Sequence, residues 1–83
     1  MTLDEIAPHE RAKILSLSHT GAMRRRLQDI GMIPSTVVEC VGKSPGGDPS
    51  AYLIRGAVIA IRAEDCQKIT VEKQPDKEAS TWD

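Results

Sequence analysis

The side chains of this 83-residue sequence best suited to bind a transition metal are His9, His19, Cys40 and Cys66. They are scattered, with no CxxC and no tight His pair, so only the tertiary fold can bring them together. Structural zinc sites are normally announced by close ligand pairs. Buried, inert thiols are therefore expected at Cys40 and Cys66. No nucleophile–base pair and no paired carboxylates are legible, and neither an enzyme nor a bound cofactor is expected. The loop "SPGGDP", Ser44 to Pro49, has the glycines of a phosphate cradle. It lacks the Gly-Lys-Ser/Thr ending, and Asp48 would repel a phosphate. It reads as a turn-rich connection between strands.

The densest charge lies in "GAMRRRLQDIGMIP", Gly21 to Pro34. Met23, Leu27 and Ile30 recur at i, i+4 and i+7, the spacing of one apolar helical stripe. On that wheel Arg26 lies about 60° from the middle of the stripe and borders the buried face. Its stem can pack there while the guanidinium binds a carboxylate or backbone carbonyls. Arg24 and Arg25 fall farther round and are expected in solvent. The cations sit near the positive end of the helix and Asp29 near the negative end. Each placement opposes the macrodipole by about 0.3–1 kcal/mol. Local helix stability does not explain the pattern, which leaves a structural anchor or a surface for an acidic partner. We expect Arg26 to be the anchor and Arg24 and Arg25 the partner contacts.

A nucleic-acid partner is a poorer fit. Lys and Arg total 11 against 12 Asp and Glu, for a net charge of -1. No excess of positive charge draws the chain to a phosphate backbone. Barrel-type nucleic-acid readers also stack bases on aromatics, and this chain offers only Tyr52 and Trp82. The same shortage argues against a proline-rich peptide groove, while pairing along a strand edge stays open.

Around this helix the sequence places short strands. "RAKILSLS", Arg11 to Ser18, puts Ala12 and Ile14 on one face, then Leu15 and Leu17 on the other, which predicts a bulge or sharp bend. Thr20 is the expected N-cap of a helix over 22–30, with Gly31 as its left-handed C-cap and Pro34 as its stop. Strands follow at Thr36–Lys43, Ala51–Gly56, Ala57–Arg62 and Lys68–Lys73. In the last, Ile69 and Val71 point in and Lys68, Thr70 and Glu72 point out. Arg55-Gly56-Ala57 makes a tight hairpin, so Gly56 joins Gly31 and Arg26 as an expected structural anchor. Ala63 to Gln67 makes a short helical turn. The expected fold is mainly β, a small SH3-like five-stranded barrel with one inserted short helix.

One domain over 1–73 is expected, followed by a flexible acidic tail over 74–83 that contains Trp82. Sparse cysteines, an acidic N-terminus and no long apolar run point to a cytoplasmic chain.

Three segments resemble the FeoA family. "RRRLQDIGMIPSTVV" resembles its arginine-rich helix, glycine turn and following strand. "SPGGDP" matches its loop, and "GAVIAIRAEDCQKITV" resembles its closing segment. They occur in the family's order, and the likeness runs from about Leu3 to Lys73. The family often has Pro-Gly where this chain has Pro34-Ser35, so a type I turn is expected in place of type II. Cys66 stands where alanine is usual. The resemblance implies a small SH3-like cytoplasmic protein that accompanies FeoB, the membrane ferrous-iron transporter with a GTPase domain. It implies an accessory or regulatory role in Fe(II) uptake through protein contact, with the membrane reached only through the partner. An arginine supplied to that GTPase is one form the role could take. Similar domains also form a C-terminal module of iron-dependent repressors. This sequence lacks their DNA-binding helices, which leaves a free-standing interaction module as the alternative.

Overall fold

The computed structural model describes residues 1–75. Strands β1 (Arg11–Leu17), β2 (Val37–Lys43), β3 (Ser50–Ile54), β4 (Ala57–Ile61) and β5 (Ile69–Gln74) form one antiparallel sheet in the order β4-β3-β2-β1-β5. Helix α1 (Gly21–Asp29) is inserted between β1 and β2, and the short α2 (Ala63–Cys66) precedes β5. Every strand contributes to one aliphatic core, through Ile14, Val38, Tyr52, Ile61 and Val71 among others. The mainly β architecture is the one expected. β5 ends at Gln74, one residue into the segment expected as tail. Trp82 and the rest of 76–83 lie outside the described residues.

The bulge in β1 is present. Its pairing with β5 shifts register between Ile14 and Ser16. Leu15 is thrown outward and is 45% exposed, while Leu17 returns to the core. Leu15 and Leu17 therefore do not share a face, because the extra residue resets the alternation for all that follows. β5 alternates cleanly, with Ile69 and Val71 buried and Glu72 exposed. The β3–β4 hairpin turns on Arg55 (φ 50) and Gly56 (φ 84), the two left-handed residues of a type I′ loop.

The turn after α1 corrects an expectation. Ser35 has φ 78, and the Thr36 N–H donates to the Ile33 carbonyl at 3.1 Å. A left-handed residue at the second central position makes this a type II turn, not type I. The sheet imposes it. Ser35 N–H donates to the Ile14 carbonyl, and Ile14 N–H donates to the Thr36 carbonyl, both at 2.8 Å. The two bonds extend the β1–β2 ladder past its last strand pair and fix the peptide planes of the turn.

Helix α1 ends as a Schellman motif. Gly31 N–H bonds the Gln28 carbonyl at 3.0 Å, and Met32 N–H bonds the Leu27 carbonyl at 2.9 Å. Gly31 has φ 106, and a Cβ there would lie 3.0 Å from Arg55 Cδ and 3.1 Å from Ile54 Cγ2. The helix terminus is thus packed against the β3–β4 hairpin. Thr20 holds the N-cap position, but its side chain makes no capping bond.

The N-terminus is part of the domain. Leu3, the first residue of a short 3₁₀ turn at Leu3–Glu5, and Ile6, the residue after it, are fully buried. Thr2 bridges to Thr70, and Val71 N–H donates to the Met1 carbonyl at 2.8 Å. The opening residues therefore cover the outer edge of β5.

Candidate functional site

Two helical elements face the β4 end of the sheet. One is α1, which contributes Met23, Arg26, Leu27 and Ile30. The other is α2, which contributes Glu64 and Asp65. Between them and the Ile59–Arg62 stretch lies a cleft of about 370 Å³. Leu27 and Ile61 are buried, Ile30 and Ile59 half-buried, and together they make its apolar lining. Arg26 and Arg62 stand exposed at its rim.

The arginines occupy it differently from the expectation. Arg24 is the anchored one. Its guanidinium donates to the Leu17 carbonyl at 2.8 Å and to the His19 carbonyl at 3.4 Å. These carbonyls lie just before the helix, and helical side chains lean toward the N-terminus, so a first-turn arginine reaches them. Arg26, expected as the anchor, is exposed and has no hydrogen bond or ion pair among the described residues. Arg25 is exposed, as the wheel places it. The cause is the rotation of α1. Met23 is 38% exposed, so Leu27, not the middle of the Met23/Leu27/Ile30 stripe, marks the buried direction. A rotation of about 40° brings Arg24 to the border of the core and carries Arg26 away from it.

Behind the cleft, His19 Nε2 meets Asp65 Oδ1 at 3.3 Å. His19 is 5% exposed, and its Nδ1 has no partner among the described residues. The contact ties the turn before α1 to α2. It engages one oxygen of the Asp65 carboxylate, which lines the cleft together with Glu64. In the sequence His19 is one of four scattered candidate metal ligands, and the fold instead pairs it with a carboxylate. Its buried place follows from the packing of α2, which its own neighbours in sequence do not signal.

The other chemistry-bearing residues serve the fold. Among the described residues, no group of three or more His, Cys, Asp and Glu gathers at metal-binding distance. Cys40 and Cys66 are buried free thiols. The Cys66 thiol lies 3.5 Å from the Tyr52 hydroxyl, which in turn donates to the Leu3 carbonyl at 3.4 Å. Burial pushes the Cys66 thiol above the usual range and pushes the Tyr52 phenol well above its own. An un-ionised buried thiol is a poor nucleophile. Asp48, in the glycine-rich loop, accepts the Ala63 N–H at 2.9 Å and so supports the first turn of α2. Gly56 meets open space where a Cβ would be, so its place in the turn rests on backbone conformation alone.

Among the described residues, no helix is long and apolar enough to cross a membrane. The sequence matches the family described as FeoA domain over residues 1–73. It is 31% identical over 72 residues to the Fe(2+) transport protein A/Fe(2+) transporter FeoB fusion protein of Porphyromonas gingivalis. That match covers 87% of this chain, which spans only 8% of the fusion protein's length. The FeoA protein of Chlorobium tepidum superposes with a TM-score of 0.85 at 29% identity, covering 90% of this chain and 71% of that one. FeoA of Stenotrophomonas maltophilia, solved with zinc and described as a procaryotic SH3 domain protein, superposes with a TM-score of 0.76 at 30% identity. That alignment covers 87% of this chain and 89% of the other. The five-stranded sheet with its inserted helix is therefore SH3-like, and the chain belongs to the FeoA family, which is associated with ferrous iron transport.

Proposed function

We propose that this chain regulates ferrous iron uptake by binding FeoB on the cytoplasmic side of the membrane, through contact and not catalysis. The observation that carries this is the fused relative, in which a matching domain and FeoB share one polypeptide. Fusion holds two modules at an effective concentration that reaches the millimolar range with a short linker. Contact of this kind needs a docking surface on the domain itself. The cleft beside β4, apolar within and arginine-rimmed, has the character of one. Arg24 is committed to backbone carbonyls, so Arg25 and Arg26 are the members of the run left to meet a partner.

The test is a titration of this chain against full-length FeoB and against its isolated GTPase domain, each with GDP and with a GTP analogue. Saturable binding to the transporter is expected. Absence of binding to full-length FeoB in both nucleotide states would overturn the reading. A change in GTP hydrolysis that disappears on Arg25→Ala would identify the GTPase as the regulated part.

A further inference from the structure

We propose that the cleft between α1 and β4 receives an extended, acidic segment of FeoB, which adds to the sheet as a sixth strand beside β4. This rests on the reading above and gives it a surface and a mode of recognition.

The two edges of the sheet are finished differently. The outer edge of β5 is covered by Met1 and Thr2, and the strand carries the charges of Glu72 and Lys73. β4 reads AVIAI, with no charge and no proline. Val58 is 65% exposed. Native proteins blunt an open edge with charge, proline, a bulge or a cover, because unpaired backbone groups template another strand. β4 is bare of these devices among the described residues.

The hairpin shows which groups are free. A two-residue loop makes its flanking residues, Ile54 and Ala57, a hydrogen-bonded pair. Antiparallel pairing then alternates, so Ala57, Ile59 and Ile61 spend their backbone groups on β3. The N–H and C=O groups of Val58 and Ala60 point away from the sheet. An incoming strand finds two donors and two acceptors in register, the pattern of recognition by strand addition.

The surroundings specify the rest of the ligand. The lining by Leu27, Ile30, Ile59 and Ile61 takes apolar side chains. Those alternate along a strand, so every second residue of the segment is apolar. Arg26 and Arg62 border the same space with no side-chain partner among the described residues. Glu64 and Asp65 line the same space, Asp65 with one oxygen turned to His19. The guanidinium groups of Arg26 and Arg62, planar donors suited to paired hydrogen bonds with a carboxylate, select Asp or Glu at the outward positions of the segment.

The test uses the whole chain and full-length FeoB, with Val58→Pro, Val58→Thr and Arg26→Glu. The Val58 N–H points away from β3, so proline there removes no sheet bond and blocks only an added strand. Threonine keeps the N–H and the β-branch. Arg26→Glu alters an exposed helical position and reverses its charge without touching the core. The expected result is a monomeric wild type whose Kd rises at least tenfold with V58P and with R26E and stays within twofold with V58T. The R26E result stands even where V58P perturbs the fold. Wild-type affinity in both V58P and R26E would place the contact elsewhere while leaving the regulator reading intact. No wild-type binding at all would overturn both. A wild-type dimer that V58P dissociates would assign the edge to a second copy of this chain. Shifts in the Val58 and Ala60 amide resonances on deleting 76–83, without FeoB, would assign the cleft to the chain's own segment. Either outcome overturns the proposal.

Discussion

At the scale of single residues, the positive-φ positions give the sharpest expectations. Ser35 holds φ 78 because the Ile14 bonds on either side fix the turn. A left-handed conformation costs a non-glycine residue about 1–2 kcal/mol. Glycine removes that cost and gives back part of it through the freer unfolded chain. Ser35→Gly should therefore stabilise the domain by about 0.5–1 kcal/mol in urea unfolding. Gly31 and Gly56 form a matched pair. Both have positive φ, but only at Gly31 does an added Cβ press on Ile54 and Arg55. Gly31→Ala should lose about 2–3 kcal/mol and Gly56→Ala about 1, measured the same way. The exchange between Arg24 and Arg26 belongs to this scale too. The apolar spacing of Met23, Leu27 and Ile30 was read correctly as helical. It does not say how the helix is turned, because one stripe residue, Met23, is spent on the rim of the cleft. The lean of helical side chains toward the N-terminus was the available signal that Arg24 reaches the carbonyls before α1.

At the scale of elements, α1 is the dependent one. Its nine residues are too few to be helical alone in water. Leu27 is its one buried side chain, helped by the Arg24 bonds and the Schellman turn. Leu27→Ala should cost about 2–4 kcal/mol in unfolding free energy. It should also raise amide exchange in α1 more than in β2 or β3, since the helix loses its only deep contact. The strands were legible because their apolar residues alternate, and Ile69 and Val71 show it plainly. The β1 bulge was legible because Ile14, Leu15 and Leu17 break that alternation. The 3₁₀ turn was not. Leu3 and Ile6 have neither strand nor helix spacing, and only the tertiary structure shows that they bury completely. The cleft was likewise out of reach, because it is made of three elements brought together by the fold.

At the scale of the whole molecule, titration limits stability at both ends of the pH range. Burial raises Cys66 above its ordinary 9.0 and Tyr52 above its ordinary 10.0. Above those values the unfolded chain releases protons that the folded chain keeps, so stability falls as pH rises beyond about 9. Replacing Cys66 by Ala should remove the earlier part of that loss in unfolding measured from pH 8 to 11. At the acid end, bonds from Thr2 hold Glu5 below its ordinary 4.5, and bonds from Lys73 and from the Ala7 N–H do the same for Glu10. The folded chain there resists protonation, so stability falls as pH drops through the carboxylate range. Between these limits the domain presents a sheet with one covered edge and one bare edge beside an arginine-rimmed cleft. Nuclear magnetic resonance of the ¹⁵N-labelled chain during titration with the cytoplasmic region of FeoB tests the central claim most directly. The account predicts that the amides of Val58, Ala60 and Arg26 shift first and most, and that Val58 and Ala60 become protected from exchange. Shifts confined to the opposite edge, around Thr70 and Glu72, would contradict it.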